Sequence, residues 1–495
     1  MVFPSDLAIA QEAQLEPLER IGAQIGITPD LLEHHGEHVA KVKLEALERL
    51  ADRPLAKYVV VSAVTPTPLG EGKTTVTVGL GQAFQHLGRT ATVAIRQPSM
   101  GPTLGIKGGA AGGGYSQVVP MELFNMHLTG DFHAVTEAHN LLAAIVDNHL
   151  FQGNALGLDI HPLAWRRVLD VNDRALRNVV IGLGGAEDGV PRQSGFDITA
   201  ASEVMAVLSL ATSVADLRAR LARIVVGYTK GREPVTAEQL HAAGAMAAIL
   251  AEAVKPNLLQ TLEHTPVLVH MGPFGNIGTG NSSVLAAENP EDVLAGSSNL
   301  RKQIENVRIH GVTPVVAVNV FPSDHPSEWQ AIEEVARQAG ARVARCRPAS
   351  EGGKGVVELA EAVAEAAEEP GEFRFAYAED ATLREKIETI ATRVYEAAGV
   401  DYSPLAARQL EDYERDGFGR LAVCIAKTHL SLSSDPSLKG APTGWRMPVR
   451  EVRASAGAGY VYPICGEMQT MPGLGRHHAA FDVDLLDDGT IVGLS

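Results

Sequence analysis

A glycine-rich stretch with one lysine and two threonines lies at Gly70-Glu71-Gly72-Lys73-Thr74-Thr75. Glycines at positions 70 and 72 let backbone N–H groups converge on a phosphate, and the start of the following helix adds partial positive charge. Lys73 supplies a full positive charge, and Thr74 offers a hydroxyl to Mg²⁺. The consensus sequence of phosphate-binding loops also has a glycine at the position where this chain has Thr67, so the chain matches a variant of that consensus. The pattern predicts a phosphate-binding loop; a plain strand-to-helix turn is the alternative.

The elements around this stretch are those that a phosphate loop requires. A β-branched run over residues 59–64 predicts a buried parallel strand, and residues 76–84 predict a helix. A second strand is predicted over residues 89–95 and ends at Arg96. This order predicts a P-loop-type, doubly wound parallel α/β sheet, in which ligands bind beyond the carboxyl ends of the strands. Arg96 would then lie beside Lys73; a surface arginine in a turn is the alternative.

Six glycines lie within residues 105–114, around Lys107 and just before Tyr115. Ordering so many glycines has a large entropic cost, which is expected where the backbone must approach a ligand closely. We therefore predict that Lys107 and Tyr115 border the same ligand, with a flexible linker as the alternative.

The rest of the chain divides into further regions. Residues 5–53 and most of 118–255 have helical spacing, and strands are predicted over 224–228, 266–270, 314–319 and 341–345. A hairpin is predicted in the tail, turning at Asp487-Asp488-Gly489. We predict a P-loop α/β domain in two parts, a mainly helical domain and a C-terminal α/β domain. Their bounds are 1–115 and 262–365 for the two parts, 116–261 for the helical domain and 366–495 for the last.

Composition narrows the functional class. The chain has 495 residues, 45% hydrophobic and 20% charged, which is ordinary for a globular enzyme of several domains. A net charge of −17 argues against a nucleic-acid partner. Three widely spaced cysteines without a zinc-binding pattern indicate a reducing compartment. With neither a signal peptide nor an apolar span of about 20 residues, we predict a cytoplasmic protein with no membrane partner.

Together these motifs resemble the formate–tetrahydrofolate ligase family, and the resemblance runs from near Pro4 to the last residue. The stretches that carry it are 65–75, 98–102, 105–115, 129–134, 197–207, 255–258, 442–444 and 449–459. The resemblance implies an ATP-dependent ligase that joins formate to tetrahydrofolate through formyl phosphate. It also implies a homo-oligomer, a dimer or tetramer, and a response to monovalent cations.

The resemblance implies roles for individual residues as well. Lys73 and Thr74 would hold the ATP phosphates and Mg²⁺, Arg96 would stabilise formyl phosphate, and Phe321 would pack on the folate ring. Lys73 and Arg96 are the predicted catalytic residues, and Thr74 is the predicted metal ligand. The predicted ligand-binding residues are Gly70, Glu71, Gly72, Lys73, Thr74, Thr75, Lys107, Tyr115 and Phe321.

The chain departs from the family pattern in three places. Gln97 stands where the family has glutamate, and Ala349 stands where the family has a tryptophan that stacks on the pterin. A segment that contributes to the family's nucleotide pocket is missing between Val284 and Asn299. These departures keep two alternatives open. One is a changed folate reaction, such as hydrolysis or transfer of the formyl group or ligation of a different acid, and the other is a non-catalytic folate-binding regulator.

Overall fold

The computed structural model describes most of the chain. The described residues are 3–64, 72–105, 109–160, 163–185, 187–272, 290–322, 324–428, 431–466 and 470–494. Within them, no helix is both long and apolar enough to span a membrane.

Helices occur along the whole described chain. They are α1 Asp6–Gln11, α2 Leu18–Gln24, α3 Glu45–Arg49, α4 Lys73–His86, α5 Met100–Thr103, α6 Met121–Asn125, α7 Asp131–Phe151, α8 Glu203–Leu210, α9 Val214–Ala222, α10 Ala243–Ile249, α11 Pro290–Gly296, α12 Ser298–Ile309, α13 Pro326–Gln338, α14 Pro348–Glu351, α15 Val357–Glu368, α16 Leu383–Thr389 and α17 Pro404–Arg415.

Strands are short and alternate with these helices. They are β1 Leu32–His34, β2 Ala40–Val42, β3 Val93–Arg96, β4 Gly112–Gly113, β5 Ser116–Val119, β6 Arg167–Leu169, β7 Val179–Ile181, β8 Arg192–Ser194, β9 Phe196–Ile198, β10 Val225–Tyr228, β11 Pro234–Thr236, β12 Asn257–Thr261, β13 Pro266–His270, β14 Val315–Asn319, β15 Arg342–Cys346, β16 Gly399–Tyr402, β17 Ala422–Val423, β18 Ala426–Lys427, β19 Arg446–Val449, β20 Glu451–Ser455, β21 Tyr460–Cys465, β22 Asp484–Leu485 and β23 Ile491–Val492.

The largest sheet is mixed rather than parallel. Its main path is β1-β2-β12-β13-β3, and β5, which also pairs with β4, joins it through β12. Only β13 and β3 run parallel in this sheet, and β14 and β15 form a separate parallel pair. The chain therefore has a mixed α/β fold, but its described strands do not form the single doubly wound parallel sheet that the sequence predicts.

The strand predicted over residues 59–64 is not formed. The segment has no regular secondary structure, and Val60 is 70% exposed. The segment is nevertheless partly packed against the protein, because Val61 contacts the apolar cluster formed by α4, β15 and α15. A β-branched run forms a strand only when a neighbouring strand completes its hydrogen bonds, and local sequence cannot supply that neighbour.

The other predicted strands are formed, as β3, β10, β13, β14 and β15, each within a few residues of its expected limits. The tail hairpin is also confirmed, with Leu485 opposite Ile491. The helical prediction for residues 5–53 is wrong in its middle, where β1 and β2 form a hairpin. β2 pairs in turn with β12, so a contact distant in sequence overrides the helical spacing there.

Candidate functional site

The first turn of α4 begins directly at the predicted phosphate-binding lysine. Gly72 caps the helix in a left-handed conformation with φ of 71°, which glycine adopts without steric cost. The Nδ2 atom of Asn319, the last residue of β14, lies 2.6 Å from the point where a Cβ on Gly72 would sit. The helix start and the carboxyl end of β14 therefore meet at Gly72, with Lys73, Thr74 and Thr75 half-buried in the following turn.

Three of the predicted binding residues, Gly70, Glu71 and Lys107, lie outside the described residues. Their roles remain predictions.

Arg96 lies on a strand that packs against the helix of Lys73. It is the last residue of β3, and α4 packs on the start of that strand, where Gly81 faces Val93. This contact joins the helix that begins at Lys73 to the strand that ends at Arg96.

The Arg96 side chain is exposed to solvent, yet desolvation by the surrounding protein lowers the pKa of its guanidinium to about 10. The group therefore stays positively charged at neutral pH.

The glycine run lies against the same turn of α4. A Cβ on Gly113 would lie 3.6 Å from Oγ1 of Thr75. Tyr115 follows with a 42% exposed side chain, and its N–H donates to the carbonyl of Ala349 at 2.9 Å. The next strand, β5, is wholly buried. The described part of the run, residues 109–114, is therefore ordered structure beside the start of α4, not a linker.

Phe321 is presented at the end of β14. Its ring is 50% exposed, and its N–H donates to Oδ2 of Asp324 at 2.8 Å. Because Asn319 contacts Gly72, the segment that carries Phe321 adjoins the start of α4. The structure thus brings together the end of β14, the first turn of α4 and the described part of the glycine run, residues 109–114.

Comparison with known proteins decides the family. The family described as formate–tetrahydrofolate ligase matches residues 4–289 and 285–495. The chain belongs to the formate–tetrahydrofolate ligase family. It is 61% identical to the formate–tetrahydrofolate ligase of Saccharopolyspora erythraea over 565 aligned positions that cover 100% of both chains. It is 57% identical to formate–tetrahydrofolate ligase 1 of Rubrobacter xylanophilus, with 99% of each chain covered, and 48% identical to the ligase of Symbiobacterium thermophilum, with 99% and 100% covered.

The comparison also supports the prediction that this chain lacks a segment present in the family. The two family matches meet at residues 285–289, and the alignment of 565 positions is about 70 positions longer than the 495-residue chain. Compared with its relatives in the ligase family, the chain is therefore shortened near Val284. Residues 273–289 lie outside the described residues, and α11 begins directly after them.

Gln97, the first departure from the family pattern, is buried behind Arg96. It is 2% exposed, and its Oε1 atom finds no hydrogen-bond partner among the described residues. Its backbone N–H donates to the carbonyl of His270, opposite Arg96 in the sheet. A glutamate here would place a buried negative charge next to Arg96, so the amide leaves the arginine as the dominant charge of the pair.

Ala349, the second departure, packs against the glycine run. Gly114 has φ of 57°, and a Cβ on it would collide with the carbonyl oxygen of Ala349. Trp329, another tryptophan of the chain, has the guanidiniums of Arg345 and Arg347 at 5.2 Å and 5.9 Å from the centre of its ring.

A buried ion pair near this edge was not predicted from the sequence. Lys41 is 1% exposed, and its Nζ lies 2.7 Å from both carboxylate oxygens of Asp131. Asn257 donates to the same carboxylate at 2.9 Å. Burial lowers the pKa of Lys41, while the attraction of Asp131 opposes that shift. The only signal in the sequence was a lysine within a β-branched run, which did not reveal its partner.

Asp170 was also missed, and it supports the turn after Gln97. Its carboxylate accepts hydrogen bonds from the Ser99 hydroxyl and, at 2.9 Å, from the N–H of Met100. Burial raises the pKa of Asp170 to about 6. These contacts hold the start of α5, which leads toward the glycine run.

Proposed function

We propose that this protein catalyses the ATP-dependent formylation of tetrahydrofolate by formate, through formyl phosphate. The observation that carries the proposal is the meeting of Gly72 with Asn319 at the start of α4, directly before Lys73, in a chain with full-length ligase relatives. A lysine in the first turn of a 14-residue helix, with Arg96 on a strand that packs against this helix, suits the transfer of a phosphoryl group.

The proposed chemistry has two steps. A formate oxygen attacks the γ-phosphorus of ATP, the bond to the bridging oxygen breaks, and ADP leaves. N10 of tetrahydrofolate then attacks the formyl carbon, inorganic phosphate leaves with the C–O electron pair, and N10 loses its proton. Both steps pass negative charge to oxygens near the transferred phosphoryl group. Positioned cations accelerate such reactions by stabilising the charge as it develops.

The residues have distinct proposed roles. The N–H groups of the first turn of α4 and the Lys73 ammonium bind the phosphates, and Arg96 stabilises the transferred phosphoryl group. The Thr74 hydroxyl is a hard oxygen donor of the kind that Mg²⁺ prefers, and the bound ion would neutralise phosphate charge. Tyr115 and Phe321 offer exposed rings at the same edge for the flat pterin of the folate.

The shortened region near Val284 supports a second candidate function. Without about 70 positions that its relative has, the chain could lack part of the nucleotide pocket and instead hydrolyse or transfer the formyl group of a folate. Calorimetric titration separates the two candidates. Binding of ATP supports the ligase, whereas binding of formyltetrahydrofolate without binding of ATP supports the second candidate.

A coupled assay for ADP release tests the ligase directly. We expect ADP only when ATP, formate and tetrahydrofolate are all present, and we expect Lys73→Ala to abolish it. Lys57→Ala is the matched control, since Lys57 is exposed and its nearest carboxylate, on Glu368, is 3.9 Å away. Unchanged ADP release by Lys73→Ala would refute the proposed mechanism.

We further propose that the protein is a homo-oligomer, either a dimer or a tetramer, and that it is located in the cytoplasm. We also propose that it responds to monovalent cations. The hairpin of β7 and β8 supports an oligomer, since Val180 is 57% exposed and Leu183 is 69% exposed there. The three free cysteines suit a reducing compartment. Light scattering at several protein concentrations measures the oligomeric state.

A further inference from the structure

Tyr115 lies at the tip of a tight β-hairpin. Strands β4 and β5 pair antiparallel with Gly113 opposite Ser116, so Gly114 and Tyr115 are the two residues of the turn. Tyr115 is 42% exposed, yet its backbone is held, because its N–H donates to the carbonyl of Ala349 at 2.9 Å. The turn therefore presents an aromatic ring to solvent from a fixed backbone.

Asp6, the first residue of α1, holds the same turn from the other side. Its Oδ1 accepts a hydrogen bond from the N–H of Gly114 at 2.7 Å, and its backbone carbonyl accepts one from Nε2 of Gln117 at 2.9 Å. The Gln117 side chain is fully buried, and the same Nε2 donates to the carbonyl of Gly114 at 2.6 Å. Asp6 and Gln117 together tie the tip of the hairpin to the start of α1.

Phe3 lies against the exposed ring of Tyr115. The two ring centroids are 6.0 Å apart and the ring planes are at 86°, an edge-to-face arrangement that aromatic rings favour. Phe3 is itself 52% exposed, so the pair keeps a large apolar surface in contact with solvent. Phe3 therefore restricts the rotation of the Tyr115 side chain while leaving ring surface that a flat ligand can cover.

Printed contacts of the backbone connect this pair to the candidate site. A Cβ on Gly113, directly before the turn, would lie 3.6 Å from Oγ1 of Thr75 in the first turn of α4. Helix α14, which accepts the N–H of Tyr115, follows β15 after one residue, and the last residue of β15 accepts the N–H of Val320 at 2.9 Å. Val320 directly precedes Phe321, the second ring of the proposed folate site. The Tyr115 turn is therefore joined both to the start of α4 and to the segment of Phe321.

We propose that Phe3 is a positioning residue for the folate: it holds the ring of Tyr115 as a flat surface for the pterin, and Asp6 fixes the turn that carries this ring. The inference rests on the proposed function, in which Tyr115 packs on tetrahydrofolate. It gives residues 3–6, which take no part in the chemistry, a share in the affinity for the folate. A side chain held in one orientation loses less conformational freedom when the ligand binds, and this is the source of the gain.

The test compares two exposed edge-to-face pairs. Phe373 and Phe375 have ring centroids 5.3 Å apart and planes at 85°, and Phe375 is 59% exposed, so it matches Phe3 in another part of the chain. By calorimetric titration, we expect Phe3→Ala to weaken tetrahydrofolate binding roughly twofold to tenfold, the range for loss of one aromatic contact. Phe375→Ala should leave it unchanged, and neither variant should change ATP binding. In steady-state assays, Phe3→Ala should raise KM for tetrahydrofolate and leave kcat unchanged.

Further variants separate positioning from a general loss of structure. Phe3→Tyr keeps a ring of the same size and should retain the tetrahydrofolate affinity of the unaltered protein. The effects of Phe3→Ala and Tyr115→Ala should be less than additive, because Phe3 acts through the Tyr115 ring. Asp6→Ala removes the acceptor of the Gly114 N–H and should also weaken tetrahydrofolate binding, whereas Asp6→Asn keeps an acceptor oxygen and should restore most of it.

Each outcome has a separate meaning. If the unaltered protein binds tetrahydrofolate but Phe3→Ala binds it as tightly as Phe375→Ala does, the positioning role is refuted while the proposed function stands. Fully additive effects of Phe3→Ala and Tyr115→Ala, or equal weakening of ATP and tetrahydrofolate binding by Phe3→Ala, would refute it as well. If the unaltered protein binds no tetrahydrofolate, the proposed function and this inference both fail.

Discussion

Asn319 closes the space beside Gly72: its Nδ2 lies 2.6 Å from where a Cβ on that glycine would sit. The same glycine has φ of 71°. An alanine at this position would therefore meet two obstacles, the left-handed backbone and the collision with the amide, at the point where α4 begins.

We expect Gly72→Ala to lose ADP-forming activity and to be less stable by more than the roughly 1–2 kcal/mol of the backbone strain alone. Gly88 is the matched control, because it has φ of 67° at the far end of the same helix, with nothing within 4 Å of its Cβ position. Gly88→Ala should show the strain alone and keep its activity. Equal loss of activity in the two variants, measured as turnover beside chemical denaturation, would contradict the role of Asn319.

Arg96 is the second catalytic cation of the proposed mechanism. We expect Arg96→Ala to lower kcat by roughly 10²–10³-fold, as removal of one group that stabilises transition-state charge does in other enzymes. Arg96→Lys should recover part of the loss because it keeps the charge. Arg89→Ala is the control, since Arg89 is exposed and precedes the start of the same strand. Steady-state kinetics measures kcat for the three variants, and a normal kcat in Arg96→Ala would exclude a catalytic role of Arg96.

The buried pair of Lys41 and Asp131 predicts an asymmetric response to mutation. Lys41→Met leaves an uncompensated carboxylate in the interior and should lower the free energy of unfolding by about 3–5 kcal/mol. The double variant Lys41→Met with Asp131→Leu removes both charges and should be more stable than Lys41→Met alone. Urea denaturation measures both values. A double variant less stable than the single one would show that the pair contributes net stability.

Glu203 predicts a pH dependence of stability. Burial raises the pKa of Glu203 to about 8, although its carboxylate accepts a hydrogen bond from the N–H of Gly457 at 2.8 Å. The native carboxyl therefore keeps its proton at neutral pH, whereas the unfolded chain releases it near its ordinary pKa of 4.5. The unfolded state then binds fewer protons, so this group's contribution to stability falls as pH rises from about 4.5 to about 8.

Glu203→Gln isolates this effect, because glutamine keeps the shape and cannot ionise. We expect the difference in unfolding free energy between the protein and this variant to change steadily across that pH range in favour of the variant. Denaturation curves at a series of pH values measure the difference. A difference independent of pH would show that the carboxyl titrates alike in the folded and unfolded chains.

The domain limits at 115, 261 and 365 stay a prediction, as do the roles of Gly70, Glu71 and Lys107. Local patterns alone nevertheless determined much of this protein. The helix predicted over residues 76–84, which lies within α4, the end of β3 at Arg96 and the tail hairpin follow from glycine, β-branched and turn residues read in order. These features were predictable because each depends on residues that are neighbours in sequence.

Only the tertiary structure decided the rest. The run at 59–64 has strand composition but no strand, and residues 40–42 have helical spacing but form β2, because pairing partners come from distant parts of the chain. The contact of Asn319 with Gly72 and the pair of Lys41 with Asp131 join residues far apart in sequence. Nothing local specifies such contacts, since their energy appears only when packing excludes water from both partners.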